Sequence, residues 1–158
     1  MDRVTAAVAL GSNLGDRHAH LRFAIGKLSR LLDEMRLSNI RETEPAGVAG
    51  PQPLFLNAAV VGVTRQPARA LLDALLAIER ERGRERPFPN APRTLDLDLI
   101  LYGDAIVDEP GLCVPHPRFR DRPFVLEPLA EIARDLIDPV SGLTIARLLD
   151  GLTGGARS

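Results

Sequence analysis

Cysteine is almost absent: Cys113 stands alone in 158 residues, which excludes an internal disulfide and a four-cysteine zinc site. A reducing compartment suits such a chain, and the expected location is the cytoplasm. Tryptophan is missing, and the aromatic residues are five phenylalanines and one tyrosine. A sheet that stacks RNA bases needs more exposed rings and a basic surface. With a formal net charge of −1, no nucleic-acid partner is expected. No apolar run reaches the ~20 residues that cross a bilayer, so no membrane partner is expected either. The apolar stretch Val4–Leu10 ends in Gly-Ser-Asn, without the pattern of a signal peptide. Among 20 basic residues only Lys27 is a lysine. No G-x-x-x-x-G-K-[ST] occurs, so a P-loop is excluded. A phosphate site here would be built mainly from arginine, whose fork binds phosphate oxygens two at a time.

What is present is ordinary for a globular chain: 45% hydrophobic and 26% charged residues, in a length that suits one domain over 1–158. Val4–Leu10 reads as a buried strand followed by a turn, and Asp16 as the N-cap of the next helix. Leu21, Ala24, Ile25, Leu28 and Leu32 recur at helical spacing to about Asp33. Met35–Glu42 reads as a second strand and Leu54–Thr64 as a third. Between them, Thr43–Pro53 carries Pro45, Pro51, Pro53, Gly47 and Gly50 and is a long loop, of the kind that is functional or mobile. Pro67 opens a helix with a Leu71, Leu72, Leu75, Leu76, Ile78 stripe. A second proline-broken loop, Arg84–Pro92, leads into the clearest strand, Thr94–Tyr102. Gly103-Asp104 is expected to turn that strand back into Ala105–Val107. A short helix over Phe124–Ala133 and a last one near Ile145–Leu149 follow. The order β-α-β-β-α-β predicts an α+β fold, a ferredoxin-like split βαβ sandwich. Its sheet would be mainly antiparallel, with helices packed on it and extra elements after the core.

The strongest chemical signal is Arg93-Thr94-Leu95-Asp96-Leu97-Asp98-Leu99. Strand alternation puts Leu95, Leu97, Leu99 and Leu101 on one face, and Asp96 and Asp98 on the other. Their Cα atoms would be about 7 Å apart, which suits hard divalent cations bridged by polyphosphate oxygens. The alternative is a solvated polar face, although like charges facing one way in a strand repel. Arg80 and Arg82 suit a helix C-terminus, whereas Arg84, Arg86 and Arg93 flank the loop before the carboxylates. Arginines over metal-bound phosphates are what phosphoryl transfer requires. Gly11-Ser12-Asn13-Leu14-Gly15 is either a strand-to-helix turn or a phosphate contact. His116, held between Pro115 and Pro117, is either structural or, with Arg118, Arg120 and Arg122 after it, a phosphate contact.

Four segments together carry a resemblance: Phe55-Leu56-Asn57-Ala58-Ala59-Val60, Glu79 through Arg84, Pro92 through Asp98, and Val114-Pro115-His116. In this order and spacing the chain resembles hydroxymethyl-dihydropterin pyrophosphokinase, from Gly11-Ser12-Asn13-Leu14 to about Asp138. The resemblance implies a monomer that moves pyrophosphate from MgATP to a reduced pterin alcohol in folate synthesis, releasing AMP. It implies two Mg²⁺ ions on Asp96 and Asp98, with ATP as co-substrate. Arg84 and Arg93 would neutralise the transferring phosphates, and His116, Arg86 and Arg122 would hold the nucleotide. Glu79, Leu99 and Leu112 would lie near its base and sugar. Thr43, Pro45 and Ala46 would meet the pterin through their backbone, Phe55 and Phe124 would sandwich it, and Asn57 would read its polar edge. Phe88 would close over ATP. Two other readings remain: a ferredoxin-like nucleotidyltransferase with paired Asp, which would release pyrophosphate, and a non-catalytic RNA-binding or regulatory module.

Overall fold

A computed structural model describes residues 2–43, 54–82 and 95–154. Strands β1 (Val4–Ser12), β2 (Asp33–Leu37), β3 (Arg41–Thr43), β4 (Phe55–Thr64) and β5 (Asp96–Tyr102) form one antiparallel sheet. Its order is β2-β4-β1-β5, with β3 also paired to β4. Helix α1 (Arg17–Leu31) joins β1 to β2, and α2 (Ala68–Glu81) joins β4 to β5. Each helix therefore bridges two strands that have a third between them, the split βαβ arrangement expected from the sequence.

The sheet is buried on both faces. Ala6, Val8 and Leu10 of β1, with Leu56, Val60, Leu95, Leu97 and Leu99, pack on Leu21, Ala24 and Leu28 of α1 and Leu71, Leu75 and Ile78 of α2. The alternate residues Ala7, Ala9, Ala59 and Val61 meet the elements that follow the core. These are a 3₁₀ turn (Phe119–Asp121), α3 (Pro123–Ala133) and α4 (Ile145–Gly154). Val125, Leu126, Leu129 and Ala133 supply the apolar stripe of α3, and Phe119 is fully buried beside them. Small alanines on β1 and β4 let α3 approach this face closely. Polar contacts tie α3 to the far edge of the sheet. Arg41 pairs with Glu131 at 2.8 Å and with Glu127 at 3.6 Å, Asn39 N–H donates to Glu131, and Arg36 donates to the Ile132 carbonyl.

Local signals explain most boundaries. Asp16 caps α1 by accepting the Ala19 N–H at 3.1 Å. Pro123 occupies the first turn of α3, where a missing N–H costs nothing. Pro67 is the N-cap residue of α2 rather than its first helical residue. Several expectations are corrected. β1 runs on through Gly11 and Ser12, which pair with Asn57 and Leu56 on one side, so these two are strand and not turn. The strand expected over Met35–Glu42 is broken at Ser38, whose N–H and hydroxyl bond the carbonyl and N–H of Ala59. Leu101 does not share a face with Leu95, Leu97 and Leu99. A register shift between Ala7 and Val8 leaves Ile100 out of the pairing with β1, so Ile100 and Leu101 both join the α3 side. After Gly103 the chain does not pair back on β5. Instead β6 (Val107–Glu109) and β7 (Leu112–Val114) form their own two-stranded sheet. No helix among the described residues is long and apolar enough to cross a membrane. Most of the loop Thr43–Pro53 and all of Arg84–Pro92 lie outside the described residues.

Candidate active site

Two rows of side chains cross the sheet on the α3 side. Register aligns Asn57, Gly11 and Asp96 in one row, and Ala59, Ala9 and Asp98 in the next. The middle strand thus contributes only a hydrogen and a methyl group, leaving a low floor between a carboxamide and two carboxylates. A Cβ at Gly11 would approach Asn57 Oδ1 to 3.4 Å and Phe55 Cδ1 to 3.8 Å. Any larger residue there would fill the space above the floor. That space is a cavity of about 510 Å³, walled by Phe55, Arg118, Arg122 and Phe124 and opening on Thr43, Asn57, Asp96 and Asp98. Phe55 and Phe124 are half-buried, so each ring presents part of its surface to the cavity. The Arg122 guanidinium lies 5.6 Å from the centre of the Phe124 ring, within cation–π range.

A second cavity, of about 340 Å³, lies along the outer edge of β5, between α2 and β7. Leu72, Glu79, Leu99, Leu112 and His116 line it, and Asp96 and Asp98 line it too. The two cavities therefore meet at the carboxylate pair. Glu79 is 3% exposed and accepts the Leu97 N–H at 2.7 Å, which satisfies the outer side of the edge strand.

His116 is fixed by two hydrogen bonds of its own chain. Its N–H donates to the Ile100 carbonyl at 2.9 Å, and its Nδ1 accepts the Arg118 N–H at 3.2 Å. Burial lowers its pKa below the ordinary value, the Arg122 and Arg118 cations lower it further, and only the Asp96 carboxylate opposes them. The ring is neutral near pH 7, and with Nδ1 accepting, its proton is on Nε2. His116 is a fixed hydrogen-bond donor beside the second cavity.

The arginines after His116 divide. Arg118 and Arg122 reach the first cavity, but Arg120 does not join a phosphate site. It stacks on Phe119 at 4.8 Å and forks onto Asp138, a fully buried carboxylate that also accepts from Val140 N–H and from Ser141. Those donors outweigh burial and hold the Asp138 pKa down to about 2. Arg82 likewise has a structural partner: it donates to His20 Nδ1 at 2.8 Å and stacks on Phe23.

Of the residues singled out from the sequence, Thr43, Phe55, Asn57, Arg122 and Phe124 gather in the first cavity, and Glu79, Leu99, Leu112 and His116 in the second. Asp96 and Asp98 belong to both. Pro45, Ala46, Arg84, Arg86, Phe88 and Arg93 lie outside the described residues. Gly11, Arg118 and Pro123 line the first cavity without having been singled out as its walls. For Gly11 a signal existed, because Ala7, Ala9 and Gly11 continue one strand period. No group of three or more metal-ligating side chains occurs among the described residues.

Residues 7–134 match the family model described as 7,8-dihydro-6-hydroxymethylpterin-pyrophosphokinase. The chain is 43% identical over 147 residues to the 2-amino-4-hydroxy-6-hydroxymethyldihydropteridine pyrophosphokinase of Synechocystis, covering 92% of this chain and 74% of that one. It is 45% identical over 132 residues to the Pseudomonas aeruginosa protein of the same name, covering 82% and 80%. The Folic acid synthesis protein fol1 of Pneumocystis carinii is 39% identical over 92% of this chain, which spans only 20% of that protein. Among solved structures, wild-type Plasmodium falciparum HPPK-DHPS with pterin and p-hydroxybenzoate superposes with a TM-score of 0.77. At 14% identity, over 99% of this chain and 43% of that one, it bears on the fold alone.

Proposed function

The chain belongs to the 7,8-dihydro-6-hydroxymethylpterin-pyrophosphokinase family, and we propose that its two cavities bring ATP and a reduced pterin alcohol together across Asp96 and Asp98. The protein is a pyrophosphokinase of folate synthesis. The observation that supports this use of the site is that both cavities are lined by the same two carboxylates. A reaction between two bound substrates needs such a meeting point, because positioning provides much of the rate.

In this reading the pterin lies between Phe55 and Phe124 with its polar edge on Asn57, since a flat heterocycle calls for ring faces and a few fixed polar groups. The adenine and ribose of ATP lie against Leu99, Leu112 and Glu79, and the phosphates run past His116 and Arg122 toward the carboxylates. The hydroxymethyl oxygen forms a bond to the β-phosphorus, and the bond from that phosphorus to the α–β bridging oxygen breaks. The hydroxyl proton passes to solvent water, and AMP leaves with the bridging oxygen. Asp96 and Asp98 fit magnesium because both are hard oxygen donors facing one space, with phosphate oxygens and water to complete the shell. Magnesium, when bound there, supplies positive charge that offsets the charge on the transferring group; two ions are proposed. His116 donates from Nε2 to a phosphate oxygen, and Arg122 balances charge without needing to deprotonate. Arg84 and Arg93 complete that charge balance, with Arg86 on the nucleotide, and Thr43, Pro45 and Ala46 meet the pterin. A cytoplasmic monomer completes the proposal.

The test is incubation with MgATP and 6-hydroxymethyl-7,8-dihydropterin, scored for nucleotide products. AMP formed in step with pterin diphosphate supports the proposal. Pyrophosphate with a nucleotidylated product would assign the paired carboxylates to a nucleotidyltransferase instead.

A further inference from the structure

The cations of the two cavities are unevenly placed. Arg118 and Arg122 line the first, where the pterin is proposed to bind, and among the described residues no arginine or lysine lines the second. A pterin alcohol is uncharged at neutral pH, so a guanidinium has no charge to meet in it. The product carries the diphosphate on that same molecule. A cationic wall on the pterin side therefore suits the pterin after transfer better than before it. Arg118 is set in place by its backbone. Its N–H donates to His116 Nδ1 at 3.2 Å, and its carbonyl accepts the Asp121 N–H at 3.3 Å. The next residue, Phe119, is fully buried, and Arg120 is forked onto Asp138, so the chain beyond is anchored. Arg118 is itself exposed, and its guanidinium makes no ion pair or hydrogen bond among the described residues. Asp121 lines the same wall, and its charge interacts with Arg120. The bond from Arg118 N–H to His116 also joins the two cavities, because His116 lines the second and Arg118 the first. We infer that Arg118 is a product-binding residue, whose guanidinium takes the diphosphate once that group has crossed from the nucleotide to the pterin. This rests on the first cavity being the pterin site.

Arg118→Gln removes the charge, and Arg118→Lys keeps a charge without the fork. Calorimetric titration, with magnesium and AMP present, measures the Kd of the pterin diphosphate and of the pterin alcohol for each variant. The KM of ATP and the melting temperature are measured beside it. The glutamine variant should bind the diphosphate roughly ten- to hundredfold more weakly, the loss of a charged hydrogen bond. Its affinity for the alcohol, its KM for ATP and its melting temperature should match wild type. The lysine variant should recover part of the loss. Unaltered diphosphate affinity in the glutamine variant overturns the inference, as does equal weakening of both pterins or a loss that appears in the KM of ATP instead. Phe124→Ala tests the cavity assignment separately. If it leaves the affinity for both pterins unchanged, the first cavity is not the pterin site, which overturns the inference as well. If it weakens both while Arg118→Gln weakens neither, only the role of Arg118 fails.

Discussion

Phe119 opens the 3₁₀ turn before α3 and Phe124 lies in the first turn of α3, and truncating each should have opposite consequences. Phe119 is completely buried against Ile100, Leu101 and α3, so Phe119→Ala should cost about 3–5 kcal/mol of stability. Phe124 is half-buried: part of its ring packs on the same cluster, and the rest walls the first cavity and a smaller one behind it. Scaling by burial, Phe124→Ala should cost about half as much, roughly 1.5–2.5 kcal/mol. For a chain of this size each kcal/mol is about 2–4 °C in melting temperature, so the two melts should be clearly separated. The binding effect runs the other way. A ring stacked on the pterin contributes about 1–3 kcal/mol, which is roughly 5- to 150-fold in Kd. Calorimetric titration of pterin into protein saturated with magnesium and a non-hydrolysable ATP analogue would measure it, beside thermal melts of both variants. Phe119→Ala, where it folds, should bind pterin nearly normally. The reasoning is refuted if Phe124→Ala destabilises as much as Phe119→Ala and leaves pterin affinity unchanged.

Three further outcomes are expected. Asp96→Asn or Asp98→Asn should abolish AMP formation at saturating magnesium while the ligand-free melting temperature holds or rises, because like charges on one strand face no longer repel; near-normal turnover would remove the pair from the site. The Asp138 carboxyl, held from 3.8 down to about 2, should contribute on the order of 2 kcal/mol above pH 3.8, a contribution lost as pH falls toward 2. Melts of wild type and Asp138→Asn should therefore converge in acid, and parallel curves would contradict this. His20 has a pKa lowered by burial and then by Arg82, so the neutral ring favours the folded state fully above its ordinary value of 6.5. Stability should decline below that pH, and denaturant titrations at pH 5.5 and 7.5 should show a smaller decline in His20→Ala.

The topology was legible because strand and helix periods are long-lived along this chain. The stripes of α1 and α2 and the apolar run of β4 admit one reading each, and two crossover helices over a sheet leave few arrangements. The misreadings share a physical origin. Gly11 and Ser12 have turn chemistry, but β1 is a central strand whose neighbours on both sides extend past Leu10, and their pairing overrides local preference. Ser38 satisfies its strand neighbour while interrupting the strand, and the bulge at Ile100 reverses the faces of a strand that alternates cleanly until then. Neither leaves a mark in composition.

The site was legible to the same depth as its strands. Asp96 and Asp98, and Phe55 with Asn57, follow from a two-residue period, which fixes a shared face before anything is known of what covers it. What could not be read was which arginines would reach that face, because Arg118, Arg120 and Arg122 are equivalent in spacing. The choice is made by a residue far along the chain. Asp138 is buried, and a buried carboxylate must be paired, so it draws in the nearest guanidinium and takes Arg120 out of the site. That pairing ties the short turn around Phe119 to the segment before α4. Arg118 and Arg122, on either side of the anchored residue, are left facing the cavity, with Phe124 two residues beyond. Which of the three guanidinium groups line the cavity thus depends on a carboxylate that does not line it.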